Sequence, residues 1–350
     1  MTPLRIVLIL ILGMTPLVLQ ADDEEKKVAP LFASNDVLAI TITAPFSEIM
    51  EDRESDEEFP ATLTYTDAEE EEVSVDLELR TRGRYRRQSR TCSFAPLRLN
   101  FKKSAVKETV FAKSDKLKLV THCRDRSRRH QQSLITEYIA YRTFNIVTDL
   151  SFRVRPLLVR YVDSSGEEKD REAFAFVIEH RDQLGKRIGL NTNEIEKTSI
   201  EALDGAHTNL GSMFQYLIGN TDFSPIRGAD GEPCCHNNML FGDTKGEILA
   251  IPYDFDMSGL VNAPYATPNP RFKLRNVRQR LYRGRCANKE HIDGSAETFI
   301  RHKAEIYALL DKHSDLSTKT RIVTVQYLDQ FYAILENDRR RTSLLTDRCI

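Results

Sequence analysis

The chain has 350 residues, 41% of them hydrophobic, which is long and apolar enough for two compact lobes with a large core. Lys and Arg number 50 against 52 Asp and Glu, a formal net charge of −2, so no global positive field points to a nucleic-acid partner. The charge is segregated: residues 51–58 and 67–72 are acidic and read as solvated loops, whereas 80–90, 124–129 and 271–285 are rich in Arg.

At the N-terminus Arg5 precedes an apolar stretch, residues 6–19, interrupted by Gly13, Thr15 and Pro16, and Ala21 stands before an acidic run. This pattern predicts a signal peptide over residues 1–21, with a retained anchor as the alternative. The stretch is short for a bilayer and no later segment is apolar enough to cross one. The expectation is a secreted, periplasmic or secretory-lumen protein with no integral membrane span after cleavage. All six cysteines follow this segment, which suggests disulfides, with fifteen connectivities open. Cys92 and Cys123 each end a candidate strand and are the preferred pair; Cys286 is then expected to join Cys234 or Cys235. No C-x-x-C pair supports a zinc site.

The next 150 residues read as mostly β. Residues 36–43, 61–65 and 73–79 alternate apolar and polar positions, with 67–72 joining the last two as a hairpin. Arg80 to Arg87 follows, with Arg82 and Gly83 at its turn; as a glycine-rich phosphate loop it is a weak motif, and a basic surface turn explains it equally well. In the strand 116–121, Lys116, Lys118 and Val120 share one face. A helix near 130–147 carries Glu137, nineteen residues beyond Lys118. A kinase needs a strand lysine on the phosphates and a helix glutamate to orient it, so Lys118 and Glu137 are the candidate pair, with Arg98 and Lys116 as rivals for the lysine's role. Residues 174–178 form a strand running into Glu179-His180, a candidate hinge whose backbone would bond adenine.

Leu210, Met213, Phe214, Leu217 and Ile218 make one apolar helix face, and Gly219 stands at its C-cap position. Asn220-Thr221-Asp222 comes next, then His236-Asn237-Asn238, an apolar strand 239–241, turn residues, a second strand 248–251, and Tyr253-Asp254-Phe255-Asp256. Protein kinases present an orienting Asp, a metal-binding Asn and a metal-bridging Asp in this order. Asp222, Asn238 and Asp254 fit those roles, with Asn237 an open alternative to Asn238. Turn formation is the competing explanation for such residues. Residues 262–270 are irregular and lead into Arg271, Lys273, Arg275, Arg278, Arg280, Arg283 and Arg285, which could grip an acidic substrate. Helices at 296–311 and 319–336 close the chain.

The stretch "FQYLIGNTD…HNNMLF…ILAIPYDFDMSG" resembles CotH-type spore-coat kinases and, more distantly, HipA-type kinases. The resemblance implies an α+β, two-lobed atypical protein-kinase-like fold, with a β-rich N-lobe over residues 30–180 and a mostly helical C-lobe over 181–350. It implies Asp222 as catalytic base or orienter, Asn238 and Asp254 as metal ligands, and Asp256 as the second carboxylate of a D-x-D. It places the Arg82-Gly83 turn over the phosphates of ATP, with Mg²⁺ or Mn²⁺ as the cation. Asp222 and Asn238 stand sixteen residues apart, against five in typical kinases. The expected function is phosphate transfer from ATP to a hydroxyl of a protein, glycan or lipid acceptor, with an acidic protein or glycan as the candidate partner. A non-catalytic kinase-fold binding module and an AMP transferase are the alternatives.

Overall fold

The computed structural model describes residues 28–229, 231–243 and 247–350. The signal-peptide expectation lies outside them, as do Lys245 and Gly246 of the expected turn. Among the described residues no helix is long and apolar enough to cross a membrane.

Seven strands close into a barrel. In chain order they are β1 (Leu38–Ala44), β2 (Phe59–Thr66), β3 (Glu72–Thr81), β4 (Leu97–Phe101), β5 (Lys116–Val120), β6 (Val154–Asp163) and β7 (Arg171–Ile178). Their order around the barrel is β1-β2-β3-β4-β5-β7-β6. Neighbours are antiparallel except where β1 meets β6 in parallel, with Ile40 opposite Val159. The expected hairpin is present, with Thr66 opposite Glu72 and Phe59 opposite Leu79. Strand β3 runs to Thr81, so Arg80 belongs to the strand and the turn begins at Arg82. Sequence reading gave no separate element for β6, which is buried on both faces over Val154–Leu157 and alternates only from there on.

Period-2 alternation divides the barrel wall between two cores. Ala175 and Val177 of β7 point inward to Leu63, Leu79, Leu99, Leu119 and Val159. Phe174, Phe176 and Ile178 of the same strand point outward into a second core. That second core is built from α2 (Arg128–Val147), α4 (Gly205–Ile218), α5 (Ile292–Arg301), α6 (Lys303–Lys312) and α7 (Thr318–Leu335). Two shorter helices, α1 (Phe46–Glu51) and α3 (Arg181–Ile188), flank the barrel strands, and β8 (Asn238–Phe241) and β9 (Leu249–Pro252) form a separate hairpin. The molecule is therefore α+β. The single helix expected over 296–311 is two, because the chain leaves helical geometry at His302.

The sulfurs of Cys92 and Cys123 are bonded, as expected. Cys286 is bonded to Cys349, not to Cys234 or Cys235, whose sulfurs pair with each other. The C-terminus explains the correction: the Ile350 amide donates to the Gly284 carbonyl and the Cys286 amide to the Ile350 carbonyl, which lays the last residues alongside residues 284–286.

Candidate active site

Register brings the C-terminal motifs together. Asn238 opposes Pro252 in the β8–β9 hairpin, and the Tyr253 amide donates to the Asn237 carbonyl at 3.1 Å, extending the ladder one step beyond the strands. Asn237 and Asp254 thus emerge side by side at the open end. Both hold left-handed backbone, at φ 51° and 63°, a conformation non-glycine residues adopt at a cost and one that clusters at functional positions.

Asp222 arrives from α4. Gly219 caps that helix at φ 64°, the Asn220 amide returns to the Gln215 carbonyl, and the Asn220 side chain accepts from the Asp222 amide at 2.9 Å. Arg283 donates to the Thr221 and Phe223 carbonyls from a position over the Phe223 and Phe272 rings, fixing the backbone on both sides of Asp222. The Asp222 carboxylate lies 2.9 Å from His236 Nε2 and accepts from the Asn237 amide nitrogen at 3.3 Å. Its hydrogen bond and charge raise the His236 pKa against the opposing effect of burial.

A cavity of about 530 Å³ receives these groups: Asp222, His236, Asn237, Asp254 and Asp256 line one side, and Arg82, Gly83, Arg86, Lys118 and Glu137 the other. A second cavity of about 360 Å³ shares Arg82, Gly83, Lys118, Ile178 and Tyr253 with it and continues to Glu179 and His180. The two form one cleft between barrel and helical core. The barrel's outer face supplies a cross-strand row of cations, Arg80 opposite Arg98 and Arg98 opposite Lys118. Lys118 follows from alternation: Leu117 and Leu119 fill the barrel, so Lys118 faces the cleft, with Nζ 4.8 Å from the centre of the Tyr253 ring. Burial and the neighbouring Arg82 lower its pKa to about 8.

Lys118 and Glu137 line the same cavity without pairing. Glu137 instead takes Arg86, at 3.4 Å, and Arg86 also donates to the Thr121 carbonyl at 2.7 Å. Burial opposes the Arg86 charge, but Tyr265, Glu137, Asp256 and Asp254 more than offset it and the pKa is raised. Burial also pushes Glu137 well above the usual carboxylate range, against the pull of Arg86. Asp256 is raised to about 7, first by burial and then by the Asp254 charge, and it accepts from the Tyr265 hydroxyl at 3.1 Å. Glu179 reaches the cleft only as part of the hinge segment, since its carboxylate is buried on Arg187 and on the Arg153 amide. Of the two asparagines, Asn237 lines the cavity; Asn238 is buried at the start of β8 and donates to the His236 carbonyl.

Three arginines of the 271–285 run are not free to grip a substrate. Arg280 donates to the Leu217 and Tyr327 carbonyls, Arg278 to those of Gly259 and Val323, and Arg283 holds the Asp222 segment. Sequence reasoning missed Arg86, His236 and Tyr265. Arg86 was hidden among six arginines of one turn, and His236 had only its place beside Asn237 to mark it. Tyr265 carried one signal, an aromatic inside an otherwise irregular proline-rich segment.

Among the described residues no group of three or more His, Cys, Asp and Glu side chains is arranged to hold a metal ion. The donors present, the Asp254 and Asp256 carboxylates with the Asn237 amide oxygen, suit a hard cation that takes its remaining ligands from water and phosphate. Burial and the neighbouring Asp254 charge raise the proton affinity of Asp256, and a divalent cation there would relieve that repulsion. Comparison with protein-family models finds no match, and no curated protein matches the chain.

Proposed function

We propose that the cleft binds ATP with Mg²⁺ or Mn²⁺ and transfers phosphate to a hydroxyl acceptor, the barrel and helical halves serving as the two lobes of a CotH-like kinase. The observation that carries this reading is the convergence of Asp222, Asn237, Asp254 and Asp256 on one wall of a cleft whose facing wall is cationic. A polyphosphate needs that cationic wall, and its acceptor needs a carboxylate opposite. Adenine would lie at the narrower end, against Ile178 and the backbone of Glu179 and His180. Arg82 and Lys118 would hold phosphate oxygens, while Arg86, fixed by Glu137, keeps positive charge beside Asp256. Asp254, Asp256 and Asn237 would hold the cation, which when bound neutralises phosphate charge.

Asp222 would orient the acceptor hydroxyl and His236 would steady Asp222 in the required rotamer. Disulfides and an apolar leader support an exported protein, so the reaction would take place in a secretory lumen, periplasm or extracellular space. The test is a thermal-shift titration with ATP, with and without Mg²⁺ or Mn²⁺, followed by a labelled-phosphate transfer assay. Wild type should gain stability from metal and nucleotide together, and Asp254→Ala should lose the metal-dependent part while remaining folded. An Asp254→Ala protein that binds Mg-ATP as wild type does would overturn the assignment.

A further inference from the structure

A further cavity, of about 780 Å³, shares no lining residue with the cleft. It lies between the N-termini of α2 and α7, which Gln132 ties together: its amide donates to the Asp315 carbonyl and accepts from the Ser317 amide at 2.7 Å. Both helices are long, at 20 and 18 residues, and their first turns, Arg128-Arg129 and Thr318 to Thr320, line the cavity; at α7 the Ser317 side chain caps the Thr320 amide. At α2 the Ser127 side chain makes no capping bond.

The side chains agree in sign. Arg128, Arg129, Lys319 and Arg278 line the cavity, and no carboxylate does. Among the described residues Arg128, Arg129 and Lys319 form no ion pair, so their charge is left for a ligand. Thr324 gives an independent indication. It is only 3% exposed and lines the cavity, yet its hydroxyl makes no hydrogen bond to any described residue. A hydroxyl with no partner among the described residues, at the wall of a cationic cavity, is a preset donor to an anionic oxygen. Leu260, Val261 and Val323 supply an apolar wall, and the volume exceeds that of a bare oxyanion.

We propose that this cavity is a second binding site, specific for a phosphate monoester, with the phosphate between the two helix N-termini and its carrier on the apolar wall. The dianion is preferred to a monoanion because several donors and two dipoles converge there.

The experiment titrates inorganic phosphate and O-phosphoserine into the protein without nucleotide or divalent metal, at fixed ionic strength with chloride as the reference anion. Calorimetry on wild type should show saturable binding of both dianions. The exposed double substitution Arg129→Glu with Lys319→Glu should weaken it at least tenfold. The near-isosteric Thr324→Val should weaken it several-fold while Mg-ATP binding in the cleft stays as in wild type. Tighter binding of O-phosphoserine than of inorganic phosphate is the expected result, from the carrier on the apolar wall; equal or weaker binding overturns the specificity for a monoester. No saturable binding, or binding unchanged in both variants, overturns the proposal. So does binding that disappears in Lys118→Ala, because the anion would then occupy the cleft.

Discussion

Lys118 is the residue whose chemistry the cleft alters most usefully. Burial and Arg82 bring its pKa to about 8, so it is mainly charged at pH 7 and mainly neutral at pH 9. If Lys118 holds a phosphate, the charged form binds and the neutral form does not. Nucleotide affinity should therefore fall up to about tenfold between pH 7 and pH 9, since the free protein must first take up a proton. Calorimetry near pH 8 in buffers of different ionisation enthalpy should detect that proton, and Lys118→Arg should flatten the profile; a profile unchanged by the substitution would remove Lys118 from the phosphate. In the proposed reaction Asp222 would serve the chemistry rather than nucleotide binding. Asp222→Asn preserves size and the contact to His236, so it should lower the transfer rate on the order of a hundredfold or more with little change in ATP affinity. The asparagines separate by placement. Asn237→Ala should weaken metal-dependent binding, whereas Asn238→Ala, buried and outside the cavity, should act on stability alone. Asp222, Asp254 and Asp256 were legible from residue type and order. The choice between Asn237 and Asn238 was not, because it depends on which residue is first in the hairpin ladder.

At the scale of elements, α4 and the β8–β9 hairpin form the frame of the candidate site, and both could be read from sequence. An i, i+3, i+4 apolar face followed by Gly219 leaves little choice of helix or end point. Gly219 is also where the frame is most vulnerable. Its φ of 64° disfavours any Cβ, and a Cβ there would overlap the Tyr327 hydroxyl, which packs against the helix end. Gly219→Ala should cost about 1–3 kcal/mol in denaturant unfolding and displace Asp222, so transfer should fall more than ATP binding. A Gly219→Ala protein with wild-type stability would show that Tyr327 yields and that the cap is not decisive. Where sequence reading fell short, the period was missing or misleading. The first half of strand β6, Val154–Leu157, is buried on both faces and shows no alternation. The helix over 296–311 kept its apolar spacing through His302, although the backbone breaks there. The Arg-rich run was read as a grip for an acidic substrate because arginine is charged. Its members Arg278 and Arg280 instead cap backbone carbonyls and lie over the Tyr327 ring, at 4.5 and 3.6 Å from its centre.

Among the described residues the two large cores lie inside the barrel and among the helices, each with a disulfide nearby, and a small third cluster forms around Leu203, Leu240 and Ile248. Cys92–Cys123 joins the segment after the Arg86 turn to the segment after Lys118, so it closes the barrel side of the cleft. Cys286–Cys349 ties the C-terminus to the stretch whose Asn288 carbonyl accepts from Asn209 of α4, on the far side of that helix from the cleft. Sequence separations of 31 and 63 differ by about a factor of two. Loop-closure entropy grows only logarithmically, so in the chain-entropy account each bond contributes about 4 kcal/mol and the two differ by about 0.6 kcal/mol. Replacing either pair with serines should therefore lower stability to guanidinium by similar amounts. The functional consequences should differ. Loss of Cys92–Cys123 loosens the turn that carries Arg82 and Arg86, and nucleotide affinity should fall several-fold at temperatures where the protein is still folded. Loss of Cys286–Cys349 should lower Tm and leave that affinity near wild type, because the contacts it secures lie behind α4. Denaturation curves and ATP titrations on the two variants decide the matter. Equal affinity in both would mean that Arg86, through Glu137 and the Thr121 carbonyl, holds the turn without the disulfide.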